Sequence, residues 1–139
     1  MTPYVRRFIR SSLFWLGVGV VLGVLMTAWP AAVQYRAAHM HANLLGFVSM
    51  MIFGVAYHVI PRFSGAALRS EKLAYAHVWI ANAGLALMVA GFLTRAHGLS
   101  AWRPVLIAGG LLSAAGAFLF IYNIWRTLDA APRPIFGSR

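Results

Sequence analysis

The residues with most chemistry to offer are two histidines separated by one methionine, His39-Met40-His41. They stand near the start of an apolar run from Arg36 to Arg62, bounded by arginines. As a helix rising about 1.5 Å per residue, this run is long enough to cross a bilayer. Residues two apart on a helix are rotated by roughly 200°. The two imidazoles therefore point to nearly opposite sides of one helix, at almost one depth. An ionisable side chain inside a membrane is costly and marks a functional position by default. Neutral imidazole is a standard axial ligand of haem iron. Arg36, one turn outward, is a side chain suited to carboxylates such as haem propionates. Zinc or copper fits less well, because H-x-H stands here without acidic or thiolate company.

The other three histidines carry weaker signals. His58 and His77 flank a polar connection and would form a second pair if two antiparallel helices brought them together. The competing reading is a pair of interfacial histidines with water nearby and no cofactor. His97 falls in another connection, where a solvated loop histidine is the simpler expectation. A single histidine in a span serves equally well as a hydrogen-bond partner for a neighbouring carbonyl.

Composition says what kind of molecule holds these groups. Of 139 residues, 61% are hydrophobic and 10% charged, against about 25% charged in a soluble domain. Glu71 and Asp129 are the only acids. This is the composition of one small all-α membrane domain. The formal charge of +10 comes from arginines and one lysine at the ends of apolar runs. There they set topology and meet anionic lipid. They do not form the stripe that nucleic acid would require, so no nucleic-acid partner is expected. There is no cysteine, which excludes disulfides, iron–sulfur clusters, thiolate ligation and haem attachment through CxxCH.

Four apolar runs must position the histidines. The first is expected over 12–33, after a basic start. It is longer than the apolar region of a signal peptide, and Trp29-Pro30 is a poor cleavage context, so it reads as a retained span. The second is expected over 37–60, ended by Pro61, which cannot continue a helix ladder without loss. The third covers 73–93 and the fourth 105–125, with polar connections at 62–72 and 94–104 and an irregular tail from Arg126. Trp29 and Trp102 read as interfacial aromatics. Glycines in the first and fourth runs read as sites of close helix packing.

The motifs resemble a known family. HMHANLLGFVSMMIFGVAYHVIPRF is similar to the tenth helix of the catalytic subunit of cbb-type haem–copper oxidases, with its H-x-H, L-G-W/F-V, G-x-x-Y and I-P-R pattern. LAYAHVWIANAGLALMVAGF resembles that family's eleventh helix, and RPVLIAGGLLSAAGAFLFIYNIWRTL its twelfth. Nitric oxide reductases share the pattern less closely. The resemblance covers about residues 36–128. It implies that His39 ligates a high-spin haem and His41 a low-spin haem, both near the outer membrane face.

The resemblance also sets limits. The family's subunit has about twelve spans, in three similar four-helix arcs around a pseudo-threefold axis; this chain resembles one arc. The family's copper ligands come from its sixth and seventh helices, which have no counterpart here. No copper is therefore expected from one chain, and oxidase activity does not transfer. The expected function is b-type haem binding for electron transfer or for binding a diatomic gas. The haem would lie at subunit interfaces of a homotrimer that rebuilds the twelve-helix plan. Arg36, with Arg95 or Arg103, would meet the propionates. The rival expectation is a non-catalytic subunit or assembly partner of a respiratory oxidase or nitric oxide reductase complex. A small transporter is disfavoured, since the spans lack acids and a central Gly/Pro break.

Cation placement orients the chain in a bacterial-type inner (cytoplasmic) membrane. With a cytoplasmic N-terminus, Arg6, Arg7, Arg10, Arg62, Arg69, Lys72, Arg126, Arg133 and Arg139 lie inside, and Arg36, Arg95 and Arg103 outside. That asymmetry puts both termini in the cytoplasm and H-x-H near the outer face. A reporter fused after Arg139 should score as cytoplasmic, and one inserted near Ser100 as external. The opposite pattern would move H-x-H to the cytoplasmic side.

Overall fold

The computed structural model describes residues 1–132. Over that range the protein is all-helical, with four helical spans, Pro3–Ala28, Pro30–Ser64, Glu71–Ala96 and Trp102–Asp129, each long and apolar enough to cross a membrane. We label the elements α1 (Pro3–Ala28), α2 (Arg36–His41), α3 (Met50–Ser64), α4 (Glu71–Ala96) and α5 (Trp102–Asp129). A 3₁₀ turn, Pro30–Tyr35, leads into α2, and a π-helical segment, Ala42–Ser49, joins α2 to α3. The second span is thus continuous, with a wider helix directly after the two histidines.

Every span is longer or differently placed than the apolar runs suggest. The first helix starts at Pro3, not at residue 12, because Pro3 pre-sets the first turn. Arg6, Arg7 and Arg10 are therefore helical. It ends at Ala28, where Trp29 is extended and Pro30 follows. The second span does not stop at Pro61. Pro61 lies inside α3, and the helix ends three residues later at Ser64, capped by Gly65, whose φ of 66° suits a residue without a Cβ. The proline's missing donor falls in the last turn, where one lost ladder bond is tolerated. The first connection is therefore shorter than 62–72. The third helix begins at Glu71 because the Ser70 hydroxyl caps the Leu73 N–H at 3.2 Å. It continues to Ala96, and the turn beyond it uses Gly98 at φ 70°. The fourth helix starts at Trp102, with Pro104 in its first turn, and runs to Asp129. Residues 126–129, expected to be irregular, are helical. Arg133, Pro134 and Arg139 lie outside the described residues.

Two kinds of packing hold the helices. Phe8, Tyr57 and His77 are buried together, with Phe53 and Phe120 against them, at the end where α1 and α4 begin. Along α4 and α5 the contact is backbone against backbone. A Cβ on Gly84 would stand 2.6 Å from the Ser113 nitrogen, and one on Gly109 2.6 Å from the Met88 nitrogen. Such close approach lets dispersion act where lipid gives no hydrophobic drive between helices. Large apolar side chains such as Leu111, Phe118 and Trp125 face outward, as a lipid solvent permits.

Gly84→Val should lower stability by about 1–3 kcal/mol, the usual range for overpacking, in a denaturant titration in mild detergent. Gly110→Ala, where a Cβ meets nothing within 4 Å, should be neutral or slightly stabilising.

Candidate haem-ligand site

The two rings of H-x-H lie against different helices. His39 faces α1: its Nδ1 is 2.8 Å from the Gly19 carbonyl oxygen. Glycine makes the approach possible. A Cβ on Gly23 would come within 3.1 Å of His39 Cε1, and one on Gly19 would collide with the Asn43 amide. Asn43 sits one turn along from His39 and donates its Nδ2 to the His39 carbonyl at 3.0 Å. These glycines, legible in sequence only as packing positions, form the seat of His39.

His41 faces α4. Its ring lies 4.6 Å from that of Phe92, and its Nδ1 is 2.8 Å from the Ala37 carbonyl oxygen one turn back. A carbonyl only accepts, so in both histidines Nδ1 carries the proton and donates it. The Nε2 of each is left unprotonated, free in His41 and 3.4 Å from the Asn43 amide nitrogen in His39. That is the tautomer a metal ligand needs, held by the kind of backbone partner that orients ligating histidines. Both imidazoles thus fit axial ligation of a haem iron as donors. Among the described residues, no three His, Cys, Asp or Glu side chains gather as a multi-residue metal shell.

The arginines divide. Arg36 and Arg95 line one cleft of about 480 Å³, together with Gln34, Ala37, Met40 and Phe92. Ala37 and Phe92 are also the residues that hold His41, so one face gathers His41 and two cations. Arg95 lies 5.2 Å from the Trp102 ring. Arg103, at the start of α5, is exposed and does not line this cleft. His39 belongs to the opposite side.

The remaining histidines fall into separate settings. His58 does not pair with His77. The Arg62 side chain, one turn away, lies 3.0 Å from His58 Nδ1 and donates to its backbone carbonyl. His77 is not an interfacial histidine but is fully buried, with Nδ1 3.2 Å from the Tyr57 hydroxyl. Tyr57 precedes His58 by one residue, so a helical step of about 100° sends the two side chains apart. His77 Nε2 has no protein partner. Its ring lines a small cavity of about 60 Å³ with Ser49, Met50, Phe53 and Ser113. His97 is exposed, as expected, and meets the Tyr35 hydroxyl at 3.0 Å.

Several polar contacts escaped sequence reading. Trp15 Nε1 donates to Asn82 Oδ1 at 3.1 Å, tying α1 to α4. The Asn123 amide pairs with the Ser70 backbone in both directions, accepting at 3.0 Å and donating at 2.8 Å. Thr127 Oγ1 accepts from the Arg69 N–H at 2.9 Å. The one available signal was the rarity of amides in such apolar spans.

Comparison with known proteins identifies a family for the chain. The family described as Cytochrome C and Quinol oxidase polypeptide I matches residues 4–134. The match reaches α1, beyond the three helices whose motifs were recognisable. The chain is 29% identical to the Cbb3-type cytochrome c oxidase subunit CcoN1 of Stutzerimonas stutzeri, over 91% of this chain and 33% of that protein. It is 29% identical to cytochrome c oxidase subunit 1 of Rhodobacter capsulatus, over 72% of this chain and 24% of the relative. A third relative, a bacteroid cytochrome c oxidase subunit 1 homolog of Bradyrhizobium diazoefficiens, is 26% identical over 91% of this chain and 28% of its own length. The chain thus spans a third or less of these relatives. It belongs to the Cytochrome C and Quinol oxidase polypeptide I family and is a multi-pass membrane protein.

Nitrogen-15 spectra of the haem-free protein, labelled at histidine, should give protonated Nδ1 and unprotonated Nε2 for both His39 and His41. A protonated Nε2 on either ring would contradict the backbone anchoring.

Proposed function

We propose that this family member binds b-type haem through His39 and His41, near the outer face of the cytoplasmic membrane, and uses it for electron transfer or for binding a diatomic gas. The observation that carries the reading is the pair of anchored imidazoles. Each has Nδ1 tied to a backbone carbonyl and an unprotonated Nε2, on opposite sides of one helix; the Nε2 of His39 has only the Asn43 amide near it, at 3.4 Å. Bound haem would supply a one-electron iron centre whose potential follows its axial ligands and its surroundings.

The chain's own residues would do the rest. His41, braced by Phe92 and the Ala37 carbonyl, would hold one axial position. Arg36 and Arg95, which line a cleft with Ala37 and Phe92, the residues that hold His41, would meet the propionate carboxylates with charge-assisted hydrogen bonds. Arg103 is the weaker partner, since it lies apart from that cleft. His39, seated on Gly19 and Gly23, would present its Nε2 to the other side. Bis-histidine ligation favours electron transfer, whereas an open axial position favours gas binding.

A homotrimer is the assembly we propose. Among the described residues, no second histidine stands on the α4 side with His41; His39 faces α1, His77 is in the aromatic core, and His97 is engaged with Tyr35. A symmetric ring would let His39 of one subunit and His41 of the next approach one haem, and closed rotational symmetry is the usual form of such assemblies. The cation asymmetry supports cytoplasmic termini and an external H-x-H. Of the cytoplasmic group, Arg133 and Arg139 lie outside the described residues.

The test is a visible spectrum of protein expressed with ample haem, joined to native mass spectrometry. The wild type should show a Soret band that sharpens on dithionite reduction, and a trimer that loses haem on dissociation. His41→Ala should abolish the low-spin spectrum, while His58→Ala, about 25 Å along the helix, should leave it nearly intact. A colourless wild type would sink the haem reading, and a monomer with stoichiometric bis-histidine haem would sink the trimer.

A further inference from the structure

At the end opposite H-x-H, α1 and α4 form a groove unrelated to the haem-ligand residues. Its lining is Arg7, Arg10, Ser11, Val78, Trp79 and Asn82, around a volume of about 340 Å³. None of these residues comes from the second span, so the groove opens on the α1–α4 side, away from His39 and His41.

Arg7 is held in an unusual way. Its guanidinium carbon lies 5.6 Å from the Tyr75 ring centroid and 5.5 Å from that of Trp79. Those aromatics are one turn apart on α4 and present one face. Stacking on a ring orders a guanidinium while leaving its planar fork of N–H donors free. Arg10 lies one turn further along α1 and adds a second fork. Glu71 is the nearest acid in sequence on the α4 side. Among the described residues the only ion pair is Arg126–Asp129, so neither arginine has a carboxylate partner.

The groove also changes character along its length. Beyond Arg10 and Ser11 on α1 come Leu13 and Phe14, both largely exposed, and Trp79, beside Arg7, is 63% exposed. Arg7 and Trp79 each lie within about 12 Å of the start of their helix, in the terminal third of a span long enough to cross the bilayer. A cationic end with a polar hydroxyl and amide, opening onto an apolar wall, matches an amphiphile with an anionic phosphate head.

We propose that this groove is a binding site for one anionic phospholipid of the leaflet at that end. The phosphate would be taken by Arg7 and Arg10, since planar forks match phosphate oxygens bidentately. Tyr75 and Trp79 act as positioning residues by fixing the Arg7 plane. A generally basic rim would attract anionic lipid diffusely; the stacked Arg7 makes the site local and predicts a stoichiometry of one.

The test is native mass spectrometry of the full chain released from vesicles of phosphatidylglycerol and phosphatidylcholine in equal amounts. The wild type should retain one phosphatidylglycerol in preference to phosphatidylcholine, and added inorganic phosphate should not displace it. Arg7→Gln with Arg10→Gln should reduce that retention about thirtyfold, given roughly one kcal/mol for each of the two basic residues at the surface. Lys72→Gln, at the same end but outside the groove, should leave it unchanged. If the double variant fails to fold, Trp79→Ala, at an exposed position, decides the matter and should weaken retention several-fold. No preference between the two lipids, an equal loss with Lys72→Gln, displacement by inorganic phosphate, or full retention in every groove variant would overturn the proposal.

Discussion

In a lipid solvent every backbone polar group must find its partner inside the protein, and this constraint governs the molecule. It makes the chain helical throughout its spans. It also dictates how the few polar side chains within them are seated. His39 is placed by a backbone carbonyl that it can reach only because Gly19 and Gly23 carry no side chain. His41 is placed by the carbonyl one turn behind it. With those bonds made, each ring is fixed in one tautomer and one direction. The unprotonated nitrogens that the haem reading depends on are thus by-products of satisfying the other nitrogen.

The same constraint shapes the opposite end. Asn123, Thr127 and Ser70 exchange hydrogen bonds across the connection between α3 and α4, and Tyr57 takes up one nitrogen of His77. This polar knot and the aromatic cluster beside it fix how α4 and α5 meet the start of α1. Backbone-level contact at Gly84 and Gly109 continues the grip across the membrane. The end where H-x-H lies is more open, with a cleft between the second span and α4. A rigid base and an open top suit a protein that must admit a large planar group or a neighbour. The π segment just after His41 adds to this asymmetry, since such wide turns occur often at functional sites.

Membership of the oxidase family gives the second span its meaning without giving the chain the family's reaction. The relatives are three or more times longer than the matched region. Their names describe whole subunits. What this chain shares with them is the family's sequence over residues 4–134, folded here as four apolar helices.

Much was legible in the sequence. Four spans, an all-α fold and the H-x-H helix follow from apolar runs and from rotation per residue, because hydrophobic length and helical pitch are local properties. The family resemblance was readable for the same reason: the motifs lie within single helices. Helix ends were less legible, since Pro61 and the arginines near Pro3 look like boundaries until capping by Ser70 and Gly65 is seen. What only tertiary structure decided is which distant groups meet. His77 was placed near an interface by its position in the sequence, yet packing puts it in an aromatic core against Tyr57, while His58, one residue on, turns outward. Arg36 and Arg95 share a cleft whereas Arg103 does not, and Gly19 gives up its carbonyl to a ring 20 residues away in sequence. Pitch fixes direction around one helix, but which neighbour waits there depends on how four helices pack, and no single segment carries that information.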